Sequence, residues 1–226
     1  MDLEPSTPPE NPQAENPETD RRTLIKAIAT AAVLLAVVGS LFLLIQRQFA
    51  RPGDDEKYRD VAAARARVID FKTPRPVPPN TFTQHIPIDS RSTRRLEASI
   101  ADFAGRPVLL AFWASWCRPC RPEVIELDKM YGELTRLGLA VVPVMTADKS
   151  GIDGARHFFR GADVDTLPFF LDHGQEFLEA MGGRALPSLF FIDKDGRALA
   201  FANDLDLRQQ PAQDLLRIFA KTGTLP

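Results

Sequence analysis

Two cysteines occur in the chain, three residues apart in Trp116-Cys117-Arg118-Pro119-Cys120. A pair at this spacing is a redox dithiol, half of a zinc site, or an inert buried pair. A four-ligand zinc site needs two further ligands, and His85, His157 and His173 are scattered without paired spacing, so no metal is expected. The apolar run Val108 to Ala114 reads as a buried strand, and helical periodicity follows Cys120. A C-x-x-C pair at a strand-to-helix junction favours redox chemistry. Unpaired N–H groups and the macrodipole at a helix start stabilise a thiolate, so Cys117 is the expected attacking thiol and Cys120 the resolving one. No cofactor is expected beyond a redox-active Cys117–Cys120 disulfide.

The neighbours of the pair bear on the same chemistry. Pro119 suits a first helical turn, where its missing N–H would be unpaired anyway. Pro122 removes another N–H close by, which predicts a distorted first turn. Arg118 has two readings: a cation that stabilises the thiolate and raises the reduction potential, or a solvated side chain that touches only a partner. Glu123 stands three residues after Cys120, a spacing at which side chains meet on one helix face. A raised-pKa carboxyl there could accept or relay the Cys120 proton; otherwise Glu123 is a first-turn acid complementing the helix dipole.

The elements that hold these residues follow from periodicity. Weak alternating strands lie between Thr81 and Leu96, before the turn Phe103 to Pro107. Val124, Leu127, Tyr131 and Leu134 predict a helix ending near Gly138. A strand over Leu139–Thr146, a helix over Gly151–Ala162, a short strand over Leu167–Leu171 and a helix over Gln175–Met181 come next. Ser188–Asp193 and Arg197–Ala202 read as a hairpin, and Pro211–Lys221 as a closing helix. Strands alternating with helices indicate an α/β sheet covered on both faces.

The first third of the chain reads differently. Met1 to Asp20 holds five prolines and six acids without a base, so residues 1–26 are expected to be a disordered acidic tail. Residues 27–45 are nineteen uncharged residues, about enough to cross a hydrocarbon core at roughly 1.5 Å per residue. Only Ala50 fits a signal-peptidase site and no cysteine follows for lipidation, so an uncleaved anchor is expected. Arg21-Arg22 is either a twin-arginine export signal or an ordinary basic flank; both put the N-terminus in the cytosol and the remaining chain outside. Residues 46–80 read as a linker: a short exposed helix within Asp54–Asp70, then a spacer with four prolines between Pro74 and Pro79. Residues 81–226 have the size of one domain. A net charge of −2 predicts no nucleic-acid surface.

Phe112-Trp113-Ala114-Ser115-Trp116-Cys117-Arg118-Pro119-Cys120, with Ala185-Leu186-Pro187 before a later strand, resembles the thioredoxin fold. More narrowly, the chain is similar to the TlpA/ResA family of membrane-anchored thiol–disulfide oxidoreductases in the thioredoxin superfamily, over about residues 81–222. The resemblance implies a central mixed β-sheet with flanking helices and an inserted helix–strand element between about Ser150 and Gln175. Within that insert, Phe158-Phe159 and Asp163-Val164-Asp165 either shape partner choice or pack. It also implies a cis Leu186–Pro187 bond facing the dithiol, with backbone beside it pairing with a partner's extended chain. Trp116, Arg118, Pro119, Leu186 and Pro187 would then form the substrate-binding rim; Trp113 and Trp116 would be half core and half rim, with Trp116 against the exposed sulfur. Thioredoxin's strand carboxylate is replaced here by Ala111, whereas TlpA and ResA relatives carry a glutamate at the place of Glu123.

The function so implied is reduction of disulfides in extracytoplasmic proteins, of the cytochrome c maturation or copper/oxidase assembly type. Electrons would come from a membrane thiol reductant of the DsbD/CcdA type, and the domain would lie periplasmic to a bacterial inner membrane on a single-pass anchor. Arg118 keeps a thiol oxidant or isomerase as an alternative. A copper-chaperone-like module is the other, against which the C-x-x-C spacing and unclustered histidines argue.

Overall fold

The structure, a computed structural model, describes residues 24–26, 28–40, 54–87, 93–172 and 174–226. Most of the expected tail and His173 fall outside these residues. Residues 24–26 and 28–40 are helical, and their apolar side chains are not covered by the rest of the chain, with Val33 62% and Leu35 73% exposed. Among the described residues no helix is long and apolar enough to cross a membrane. Residues 41–45 of the expected span lie outside the described residues.

Residues 55–226 make a second unit, built on one eight-stranded sheet. Its strands are β1 (Ile69–Pro76), β2 (Phe82–Pro87), β3 (Thr93–Ala98), β4 (Val108–Trp113), β5 (Ala140–Met145), β6 (Phe169–Leu171), β7 (Ser188–Ile192) and β8 (Arg197–Ala202). The helices are α1 (Asp54–Arg65), α2 (Cys120–Arg136), α3 (Gly151–Ala162), α4 (Glu176–Ala180) and α5 (Gln210–Thr222). The spatial order is β1-β8-β7-β4-β5-β6-β2-β3. β4, β5 and β6 run parallel, and every other pairing is antiparallel, which makes the sheet mixed.

β4 and β5 lie inside the sheet and are buried along their whole length, as their unbroken apolar sequences require. Side chains alternate across a strand, so β4 serves two layers. Leu109, Ala111 and Trp113 pack with Leu127 of α2 and with Leu215 and Phe219 of α5. Val108, Leu110 and Phe112 pack on the other face with Phe177 of α4 and with Phe190. The β7–β8 hairpin turns at Gly196, whose φ of 74° suits glycine, while Asp193 Oδ1 accepts from the Asp195 and Arg197 N–H groups.

The segment expected to be a linker differs from that expectation. Ile69–Pro76 is strand β1, paired antiparallel with β8, and Phe71 stacks on Phe201 at 5.6 Å. Prolines are tolerated because β1 is an edge strand, where a missing N–H need not break a ladder. α1 is not simply an exposed helix either: Val61 and Ala64 are buried in the layer that contains α2 and α5. The element between Ser150 and Gln175 forms α3 and β6, and β6 joins the β2–β3 hairpin to β5.

Candidate active site

Strand register brings three loops to one end of the sheet. Trp113 at the end of β4 pairs with Met145 at the end of β5, and Phe112 pairs with Ser188 at the start of β7. The loop after β4 carries Cys117, the loop after β5 carries Ala147 to Ser150, and the loop before β7 carries Leu186-Pro187.

Cys117 and Cys120 are disulfide-bonded, with Cα atoms 5.3 Å apart. Cys120 is wholly buried and Cys117 is 3% exposed, so both sulfurs sit under the rim. Cys120 opens α2, and its backbone N–H donates to Cys117 O at 3.1 Å and to Cys117 Sγ at 3.2 Å. A donor aimed at that sulfur stabilises negative charge on it once the bond is reduced. Pro119 caps the helix with φ −65°. The distortion expected from Pro122 is not seen, and α2 runs unbroken to Arg136. Pro122 falls in the first turn, where no N–H has an intrahelical acceptor.

Around the disulfide, Trp116, Arg118 and Pro119 are exposed. The Trp116 indole N–H donates to Ala147 O at 3.0 Å. Beside it, Ser115 N–H donates to Asp148 Oδ2 at 2.6 Å, and Ser150 N–H donates to Asp148 Oδ1 at 3.0 Å. Partial burial opposes charge on Asp148, but the hydrogen bonds from Ser115 and Ser150 outweigh it and hold the carboxyl below the usual range. Asp148 thus clamps the segment leading into Cys117, a role sequence spacing did not reveal.

Glu123 is buried on the same helix as Cys120, and its Oε1 has no hydrogen-bond partner among the described residues. Burial pushes its carboxyl up to about 8. That is the protonation range a proton acceptor for a thiol requires near neutral pH. Trp113 is fully buried, 4.8 Å from Phe158 and 5.6 Å from Phe159 between ring centroids. The Phe158-Phe159 pair of the insert therefore packs against the strand that leads to the dithiol.

The Leu186–Pro187 bond is cis. Asn203 Nδ2 donates to Pro187 O at 3.0 Å and also to Ser188 Oγ, and Ser188 Oγ donates to Ala185 O at 2.7 Å. Arg75 of β1 donates to Met181 O at 2.7 Å at the far end of the same loop. Neither Asn203 nor Arg75 was among the expected site residues. Leu186 is half-buried, and its backbone groups carry no hydrogen bond among the described residues.

Fold and site together define a thiol–disulfide oxidoreductase with a thioredoxin-like fold, and the chain belongs to the redoxin family, whose profile matches residues 83–206. It is similar to the thiol-disulfide oxidoreductase ResA of Bacillus thuringiensis subsp. konkukian (strain 97-27), at 29% identity over 119 residues. That match covers 53% of this chain and 67% of the relative. ResA of Bacillus subtilis (strain 168) is 27% identical over 112 residues, covering 50% of this chain and 60% of the relative. Among solved structures, the thioredoxin domain of thiol-disulfide oxidoreductase BVU-2223 from Bacteroides vulgatus has a TM-score of 0.53 at 20% identity, over 66% of this chain and 99% of that one. A DsbF homologue from Corynebacterium diphtheriae has a TM-score of 0.51 at 23% identity, over 68% and 91% of the two chains. Both share the fold.

Proposed function

We propose that this protein is a membrane-anchored reductase of disulfides in extracytoplasmic proteins, with Cys117, Cys120 and Glu123 as its catalytic residues. The observation that carries the reading is the Cys117–Cys120 disulfide at the start of α2, a couple able to exchange with a substrate disulfide. In the reduced enzyme the Cys117 thiolate attacks one sulfur of a substrate disulfide. The substrate S–S bond breaks, a mixed disulfide forms, and one substrate thiolate leaves. Cys120 gives its proton to the Glu123 carboxylate and attacks Cys117 Sγ. The Cys117–Cys120 bond forms, the second substrate thiolate departs, and two electrons have passed to the substrate. Protons lost by the two enzyme thiols end on the two substrate thiols.

Leu186 and Pro187 form the docking rim with Trp116, Arg118 and Pro119. The unengaged backbone of Leu186 and the solvent-facing Trp116 support that assignment. Residues 27–45 are the single-pass anchor; the exposed apolar face of the helix over 28–40 and the uncharged sequence through Ile45 support it. The unit from Asp55 onward then lies on the periplasmic side of a bacterial inner membrane, the N-terminus in the cytosol. Substrates are disulfide proteins of cytochrome c maturation or copper/oxidase assembly, and a membrane thiol reductant of the DsbD/CcdA type restores the dithiol.

Arg118 gives some weight to a thiol oxidant, but its exposure leaves its charge largely screened by water. The test is a Cys120→Ser variant in cells, which stalls the reaction at the mixed disulfide on Cys117. Extracytoplasmic disulfide proteins are expected to accumulate on Cys117. An empty trap would overturn the protein-reductase reading.

A further inference from the structure

A cleft of about 470 Å³ opens beside the dithiol, walled by Ser115 and Arg121 on one side and by Ser150, Gly154, His157 and Gly161 on the other. Ser115 lies two residues before Cys117 and Arg121 directly after Cys120, so the segments that lead into and out of the disulfide supply part of the cleft wall. Gly154, His157 and Gly161 of α3 recur at intervals of three and four, which places them on one helix face, and Ser150 precedes the helix.

Gly154 leaves the space into which Ser150 and Ser115 extend. A Cβ at Gly154 would come within 1.7 Å of Ser150 Oγ and 3.3 Å of Ser115 Oγ, whereas one at Gly161 would meet nothing within 4 Å. Besides the Phe158 ring, the lining offers Arg121, His157 and the hydroxyls of Ser115 and Ser150, and no carboxylate belongs to it. Asp148, the nearest acid in the hydrogen-bond network, already spends its oxygens on Ser115 and Ser150. Arg121 donates to Gly161 O, lies 5.4 Å from the Phe158 ring centroid, and has no acidic partner among the described residues. A guanidinium has five N–H donors, so most of its fork stays available to a carboxylate.

We infer that this cleft receives the carboxylate of an aspartate or glutamate adjacent to the reactive cysteine of the substrate protein, with Arg121 as the specificity-determining residue. The inference rests on the reductase reading above and adds the kind of disulfide preferred.

The test uses the reduced full-length protein and three disulfide-linked peptides that differ only in a Glu, Gln or Lys beside the cysteine. Wild type is expected to show a kcat/KM about five- to tenfold higher for the Glu than for the Gln peptide, with Lys lowest, as one partly exposed charge-assisted pair allows. In Arg121→Gln the Glu-to-Gln ratio falls to about one. Equal rates for all three peptides in wild type, or an undiminished ratio in Arg121→Gln, would overturn the inference alone. Failure to reduce any of the peptides would overturn the reductase reading and this inference with it.

Discussion

The backbone N–H of Cys120 donates to Cys117 Sγ at 3.2 Å, so the residue proposed to resolve the mixed disulfide also supplies a donor to the sulfur proposed to attack. After reduction that donor and the start of α2 favour the Cys117 thiolate. Alkylation of the reduced protein with iodoacetamide is expected to modify Cys117 first, with a half-point below the ordinary thiol value of about 8.5. Modification of Cys120 first would contradict the assigned roles.

Glu123 gives a stability signature. Its carboxyl titrates near 8 in the folded protein, against about 4.3 in an unfolded chain. Between those values the folded state keeps a proton that the unfolded chain has lost. Stability is therefore full below the unfolded value and is lost as pH rises through the folded one. Glu123→Gln, neutral at every pH, should exceed wild type by several kcal/mol at pH 8 and match it near pH 4, as an order of magnitude from the shift. Denaturant melts of the oxidised protein at the two pH values measure this.

The same substitution addresses the chemistry. If Glu123 takes the Cys120 proton, the pH profile of Cys120 alkylation must move in Glu123→Gln. An unchanged profile would leave Glu123 a buried acid with no part in proton transfer.

Asp148 and Asn203 hold the loops on either side of the dithiol. Asp148→Ala removes the acceptor for the Ser115 N–H and is expected to cost about 1–3 kcal/mol of stability. The loop bearing Ala147 should loosen as well, visible as a change in Trp116 fluorescence. The carboxyl is held below the usual range, so its contribution is present above the unfolded value and lost as pH falls through the lowered one.

Asn203→Ala frees Pro187 O and Ser188 Oγ. It is expected to raise KM for protein disulfides several-fold, about the loss of one or two hydrogen bonds that order the loop, with Cys117 alkylation unaffected. Steady-state kinetics with a protein substrate separate the two effects.

How much of this was legible beforehand depended on how local each signal is. β4 and β5 were readable because a strand buried on both faces must be apolar throughout, and α3 because its pattern holds from Gly151 to Ala162. β1 was not, since prolines that mark a spacer are also permitted on an edge strand, and only β8 decides between them. Cys117, Cys120 and Glu123 share one loop and one helix turn, so their spacing alone singled them out as candidates. Asp148 and Asn203 did not stand out because their partners are 33 and 16 residues away in sequence and meet them only through sheet register.

Direction of electron flow is what the reductase reading stands on, and the equilibrium potential of the Cys117–Cys120 couple measures it most directly. Equilibrating the protein against glutathione redox mixtures should give a value near that of thioredoxin, about −270 mV. A value near about −120 mV, that of a strong periplasmic oxidant, would contradict it and make Arg118 and the Cys120 N–H the basis of an oxidase instead.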